Sequence, residues 1–172
     1  MKNRIYVQLG RAGDILNVLP LLKRDFDDTG RRPILMVAAP FAELLEGATY
    51  VEPLVYAGEF DDVMPAMTIA ERLAAERDLD VVCTQIYGRQ IYSAQNCSSF
   101  VRESWARSPG APAWGSLPLV FDRRDLSREA GVKNHLLQRG TGKPYVVLAL
   151  SGTSSPFPDN VDLGRYLRNK LG

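Results

Sequence analysis

Cysteine, histidine and net charge are all scarce in this sequence, and each scarcity excludes a class of protein. Its 172 residues hold two cysteines and one histidine. Cys83 and Cys97 form no C-x-x-C pair and make no metal set with His135. A disulfide framework and a cysteine–histidine zinc site are therefore excluded, and no metal is expected. Two reduced, buried thiols in a cytoplasmic protein are the expectation. The 21 basic and 20 acidic side chains leave a formal net charge of +1, which carries no strong nucleic-acid signature and no anionic-membrane signature. No apolar run approaches the roughly 20 residues that a membrane-spanning helix needs. Met1-Lys2-Asn3-Arg4 leads straight into a strand and shows no signal-peptide pattern. Internal repeats, low-complexity tracts and long linkers are likewise missing.

What the sequence does have is a core and a strong opening. Hydrophobic residues make up 45% of the chain, enough for a packed domain. Ile5, Val7 and Leu9 mark a buried strand. Gly10 and Gly13 bracket a turn in which backbone can approach a ligand closely. Asp14 then reads as the cap of a helix whose apolar face holds Ile15, Val18, Leu22 and Phe26. Gly10-Arg11-Ala12-Gly13-Asp14 is neither a G-x-G-x-x-G dinucleotide fingerprint nor a P-loop. In an open α/β sheet, ligands sit at the carboxyl ends of strands, so the turn is expected to face a cleft.

The remaining chain alternates strands and helices. Pro20 lies inside the first helix, where it should kink the helix or remove a hydrogen bond near Leu16, and Gly30 suits a left-handed end. Residues 33–39 are almost wholly apolar, as a strand covered on both faces requires. Residues 41–46 read as a short helix and 51–56 as a third strand, with Pro53 arguing for an edge. A helix capped by Asp61 or Asp62 follows, with Met64, Met67, Ala70, Leu73 and Ala74 as its packing stripe. Residues 80–86 form a fourth strand, and the loop Tyr87–Gln90, with Arg89, should border the cleft. A helix is expected from Ser98 or Ser99 to Arg107, a short strand over 117–121, and a helix from Asp125 or Ser127 to Arg139. Residues 144–150 read as a strand, 151–156 as a small hydroxyl-rich turn that suits a phosphate, and 163–171 as a last helix. The pattern implies a Rossmann-like, mostly parallel α/β sheet with helices on both faces.

Two segments resemble the heptosyltransferase-like glycosyltransferases of family 9, which have the two-domain GT-B fold. One is Val7 to Leu16 with Leu19-Pro20; the other is Val146 to Pro158, with its Ser151-Gly152-Thr153-Ser154-Ser155 loop. The resemblance implies an acceptor-side domain over 1–141 and the start of a donor-binding domain over 142–172. It implies transfer from a nucleotide-sugar donor to the hydroxyl of a glycan or small-molecule acceptor, with Asp14 as general base. Substrate contacts are expected from Gly10, Arg11 and Gly13 in the turn and from Arg89 in the loop after the fourth strand; the resemblance further implies donor diphosphate contacts from Thr153, Ser154 and Ser155, and no cofactor beyond the donor. Such an enzyme needs roughly twice this length, so the chain is expected to be incomplete for catalysis. The alternative is a non-catalytic binding or assembly module. In that case a second chain, or self-association, covers strand 144–150.

Overall fold

The computed structural model describes residues 2–59, 62–85 and 97–139, with the side chains of 97–101 and 139 left aside. It divides into two compact units, Met1–Arg124 and Asp125–Gly172. Each is described by itself.

The first unit is built on a four-stranded parallel sheet of β1 (Arg4–Val7), β2 (Ile34–Ala38), β3 (Glu52–Tyr56) and β4 (Asp80–Cys83), in the order β3-β2-β1-β4. Ile5 lies opposite Ile34 on one side and Val81 on the other. The fold is thus the Rossmann-like α/β arrangement expected. β1 and β2 are buried along their whole lengths, as central strands covered on both faces must be. β3, with Pro53, pairs only with β2 among the described residues. At an edge position the missing N–H of a proline costs no ladder bond.

Strand periodicity of two sends alternate side chains to two separate cores. Tyr6, Leu35, Val37 and Val82 join α1 (Ala12–Thr29) and Trp105 of α3 (Cys97–Ala106) on one face. Ile5, Val7, Ile34 and Met36 meet α2 (Val63–Arg77) on the other. Right-handed crossovers explain the division. The chain steps one way along the sheet from β1 to β2 and the opposite way from β3 to β4, so α1 and α2 fall on opposite faces.

Local chemistry sets the element ends. Gly30 closes α1 at φ 66°, and its N–H bonds Phe26 O at 2.7 Å. α1 runs through the buried Pro20 to Thr29; the ring has no N–H to offer the Leu16 carbonyl. The helix begins three residues earlier than the sequence reading places it. Arg11 is the N-cap and Asp14 the third helical residue. Residues 39–47 form a 3-10 helix rather than an α-helix. Residues 117–121 form no strand. This stretch is instead tied to residues 47–50: Tyr50 OH donates to Val120 O at 2.9 Å, and just beyond it Arg123 N–H donates to Gly47 O at 3.2 Å.

A buried charged network fastens the amino end of the sheet. Asp25 on α1 accepts from Arg4 Nη1 at 2.8 Å, from Tyr6 OH at 2.5 Å and from Arg24 Nη2 at 2.6 Å. Tyr6 OH also meets Ser108 Oγ at 2.9 Å, and Arg24 Nη1 donates to Gly110 O at 2.8 Å. The turn after α3 is thereby locked to α1 and β1.

In the second unit, α4 (Leu126–Arg139) starts where Asp125 Oδ1 accepts the Arg128 N–H at 2.9 Å. His135 lies exposed on it. The expected strand 144–150, the loop after it and the rest of the 142–172 region lie outside the described residues. No helix among the described residues is long and apolar enough to cross a membrane.

Candidate functional site

The carboxyl ends of β1 and β4 form the point where the strand order reverses. After β1 the chain departs toward β2, while β4 flanks β1 on the other side. A crevice at such a switch point is the default ligand site of an open parallel sheet. Its floor is polar. Thr84 N–H and Gln85 N–H both reach Val7 O, at 3.1 and 3.3 Å, which carries β4 one step past its last ladder pair. Gln8 Nε2 donates to Thr84 Oγ1 at 3.4 Å, and Gln8 Oε1 accepts the Gly10 N–H at 3.1 Å. One buried glutamine therefore props the glycine turn and joins it to β4.

α3 secures the same floor from the other side. Ser104 Oγ donates to Thr84 O at 2.9 Å, and Arg107 Nη1 to Gln85 O at 2.8 Å. The Gln85 carboxamide is buried, and among the described residues neither its oxygen nor its nitrogen has a hydrogen-bond partner. Burial pushes the Cys83 thiol up, against smaller lowering contributions from the Gln85 backbone and Arg107. That favours the neutral thiol over the reactive thiolate.

Asp14 stands at the rim. Its Oδ2 accepts the Arg11 N–H at 2.9 Å, while Oδ1 makes no hydrogen bond among the described residues. The side chain curls back over Gly10. A Cβ on residue 10 would lie 2.5 Å from Asp14 Oδ2 and 2.7 Å from Asp14 Cβ, so glycine is needed there for space. The carboxylate is half-buried, and desolvation raises its pKa, against the opposing pull of the Arg11 N–H and the Arg11 charge. The same oxygen that caps the helix thus belongs to a carboxyl group with more than ordinary affinity for a proton.

The remaining expected site residues divide into those placed and those not. Arg11 is exposed on the rim as the N-cap residue. Gly13 is exposed, with nothing within 4 Å of a Cβ built on it. Arg89, Thr153, Ser154 and Ser155 lie outside the described residues. Among the described residues, no group of three His, Cys, Asp or Glu side chains could hold a metal ion.

Gln8, Thr84, Gln85, Ser104 and Arg107 have no expected role in the sequence. A signal existed for the first three. Each follows an apolar strand without a break, and a polar side chain there either meets a partner or faces a ligand. Ser104 and Arg107 carried none, because only the docking of α3 brings them to the floor. No family model, no curated protein and no solved structure matches the chain.

Proposed function

We propose that this chain supplies the acceptor side of a glycosyltransferase, with Asp14 as general base. One observation carries the reading: a carboxyl group with a raised pKa, held over Gly10 at the rim of the sheet's switch point. The resemblance of Val7–Leu16 and Val146–Pro158 to family 9 glycosyltransferases supports it. In the reaction the acceptor O–H passes its proton to Asp14 Oδ1. The acceptor oxygen forms a bond to the anomeric carbon, and the bond from that carbon to the donor diphosphate breaks. The nucleoside diphosphate leaves with the electron pair. Arg11 on the rim serves as a cation for the acceptor; Thr153, Ser154 and Ser155 are proposed contacts on the resemblance alone, and Arg89 on its place in the loop expected after β4. The reading places the protein in the cytoplasm, where Cys83 stays reduced.

The test is Asp14→Asn, assayed for transfer from a nucleotide sugar to a hydroxyl acceptor with the donor-binding half present. Asparagine keeps an oxygen for the Arg11 N–H but has no basic carboxylate. Transfer should fall by about 10²- to 10⁴-fold, with an unchanged melting temperature. Full transfer by the variant would remove the base assignment. A wild-type chain that turns over no nucleotide sugar, and instead co-purifies with a second chain, would favour the binding-module alternative.

A further inference from the structure

A groove of about 500 Å³ opens in the first unit between α3 and residues 111–114, lined by Arg102, Trp105, Ala106, Ala111, Pro112 and Trp114. Both tryptophans of the chain stand in it, and the one donor of each is already spent. Trp105 is buried and donates its indole N–H to Asn17 O at 2.7 Å. Trp114 is 44% exposed, and its indole N–H is taken by Asn17 Oδ1 at 3.0 Å. Alanine and proline side chains bring no polar atom. Of the side chains in the wall, Arg102 therefore holds the donors still open to a ligand. Its guanidinium stands over the Trp114 ring, 5.9 Å from the centroid, and makes no ion pair or hydrogen bond among the described residues. Two other guanidiniums close by in sequence or contact are committed: Arg107 pairs with Glu103 and bonds Gln85 O, and Arg24 pairs with Asp25 and bonds Gly110 O.

This inventory selects the ligand's chemistry. A hydroxyl-rich molecule would bury polar groups against walls that offer them no partner, which costs free energy. An apolar body with one charged end meets no such penalty. A single open guanidinium matches a single negative charge, and its planar fork matches a carboxylate through two parallel hydrogen bonds. The exposed indole favours an aromatic body over an aliphatic one, since ring pairs gain beyond the area they bury. That indole is already held at its edge by Asn17, so little ordering remains when a ligand arrives.

The 5.9 Å between cation and ring centroid also sets a length: the carboxylate must be joined to the aromatic ring by a short link. The volume falls within the range of small-molecule sites, which combine apolar walls with a few polar anchors. We infer that the groove is a binding site for a small aromatic carboxylate, its ring on Trp114 and its carboxylate on Arg102. The site is independent of the reading of Asp14 as a base, because it is defined by ligand binding alone.

Tryptophan emission of the whole chain reads the groove directly, because no tryptophan lies elsewhere. The probe is phenylacetate, which absorbs at shorter wavelengths than indole. Phenylacetamide serves as the same ring without the charge, hexanoate as the same charge without a ring, and glucose 6-phosphate as an anionic saccharide. Phenylacetate should change the emission saturably, at lower concentration than any of the other three. Arg102→Ala should weaken phenylacetate by about tenfold or more, to the level of phenylacetamide, and leave phenylacetamide itself unchanged. Trp114→Leu should weaken both, read from the emission of Trp105, with circular dichroism showing that the fold is kept. Arg102 is exposed, so its variant remains informative if Trp114→Leu unfolds. No saturable response to phenylacetate, binding as tight or tighter by any of the other three compounds, or wild-type affinity in Arg102→Ala would each overturn the inference.

Discussion

A methyl group at position 10 has no room beside the Asp14 carboxylate, so Gly10→Ala must push that carboxylate off the Arg11 N–H. Two losses follow from one substitution. The cap is broken, which costs about 1 kcal/mol, and the crowding adds about 1–3 kcal/mol; a lowered urea midpoint would register both. The proposed base is displaced as well, so transfer should fall as far as in Asp14→Asn. A Gly10→Ala chain that keeps both its midpoint and its transfer would show that the turn tolerates a side chain. The pH dependence has a definite sign. Burial raises the Asp14 pKa above its ordinary 3.8, and only the ionised form accepts a proton. If Asp14 is the base, the acid limb of kcat/KM should therefore lie above the ordinary aspartate value, with the rate lost as the pH falls through it.

Among the elements, α2 departs most clearly from its sequence pattern. The spacing sets Met64 in the packing stripe, yet Met64 is 65% exposed, and the buried seam is Val63, Ala66, Ala70 and Ala74. Hydropathy weights methionine above alanine, but closeness of approach favours alanine. Three small side chains in a row let the helix lie low over Ile5, Val7 and Met36. Ala70→Leu should accordingly destabilise by about 1–3 kcal/mol in a denaturant titration, while Met64→Ala stays within about 0.5 kcal/mol. The contrast shows what is legible in sequence. Continuous apolar runs such as 34–38 announce their strands, and Gly30 announces the end of α1, because each rests on local chemistry. Met67, Ala70, Leu73 and Ala74 of α2 pack as their spacing predicts, but the exposure of Met64, the 3-10 conformation of 39–47 and the irregular course of 117–121 depend on distant contacts. So does the site. Gly10 and Asp14 are readable as a turn and an acid, but the meeting of Gln8 with Thr84 depends on β1 pairing with β4.

Across the first unit as a whole, the two ends of the sheet are specialised differently. The carboxyl end carries Asp14 and the polar cluster of Gln8, Thr84 and Gln85; the amino end holds the lock of Arg4, Tyr6, Asp25 and Ser108. Burial, followed by the neighbouring Asp25, pushes the Tyr6 phenol from its ordinary 10.0 up to about 12. Burial likewise lifts Tyr50 from 10.0 to about 12, with Asp122 and Asp27 contributing. The folded state therefore keeps these protons over a pH range where the unfolded chain gives them up. Their stabilising contribution is complete below about pH 10 and is lost as the pH rises toward about 12. Melting temperature measured from pH 9 to 12 should fall across that window. Tyr6→Phe should flatten the fall, and an unchanged slope would mean that Tyr6 titrates normally. The parallel sheet also dictates the order in which the chain can assemble. β1 is translated first, yet its two neighbours are β2 and the much later β4. A ribosome must emit the chain as far as Asp80, the partner of Arg4, before the second side of β1 can close. Until then the nascent protein exposes an open, apolar strand edge, the kind of surface that chaperones shield and that invites aggregation.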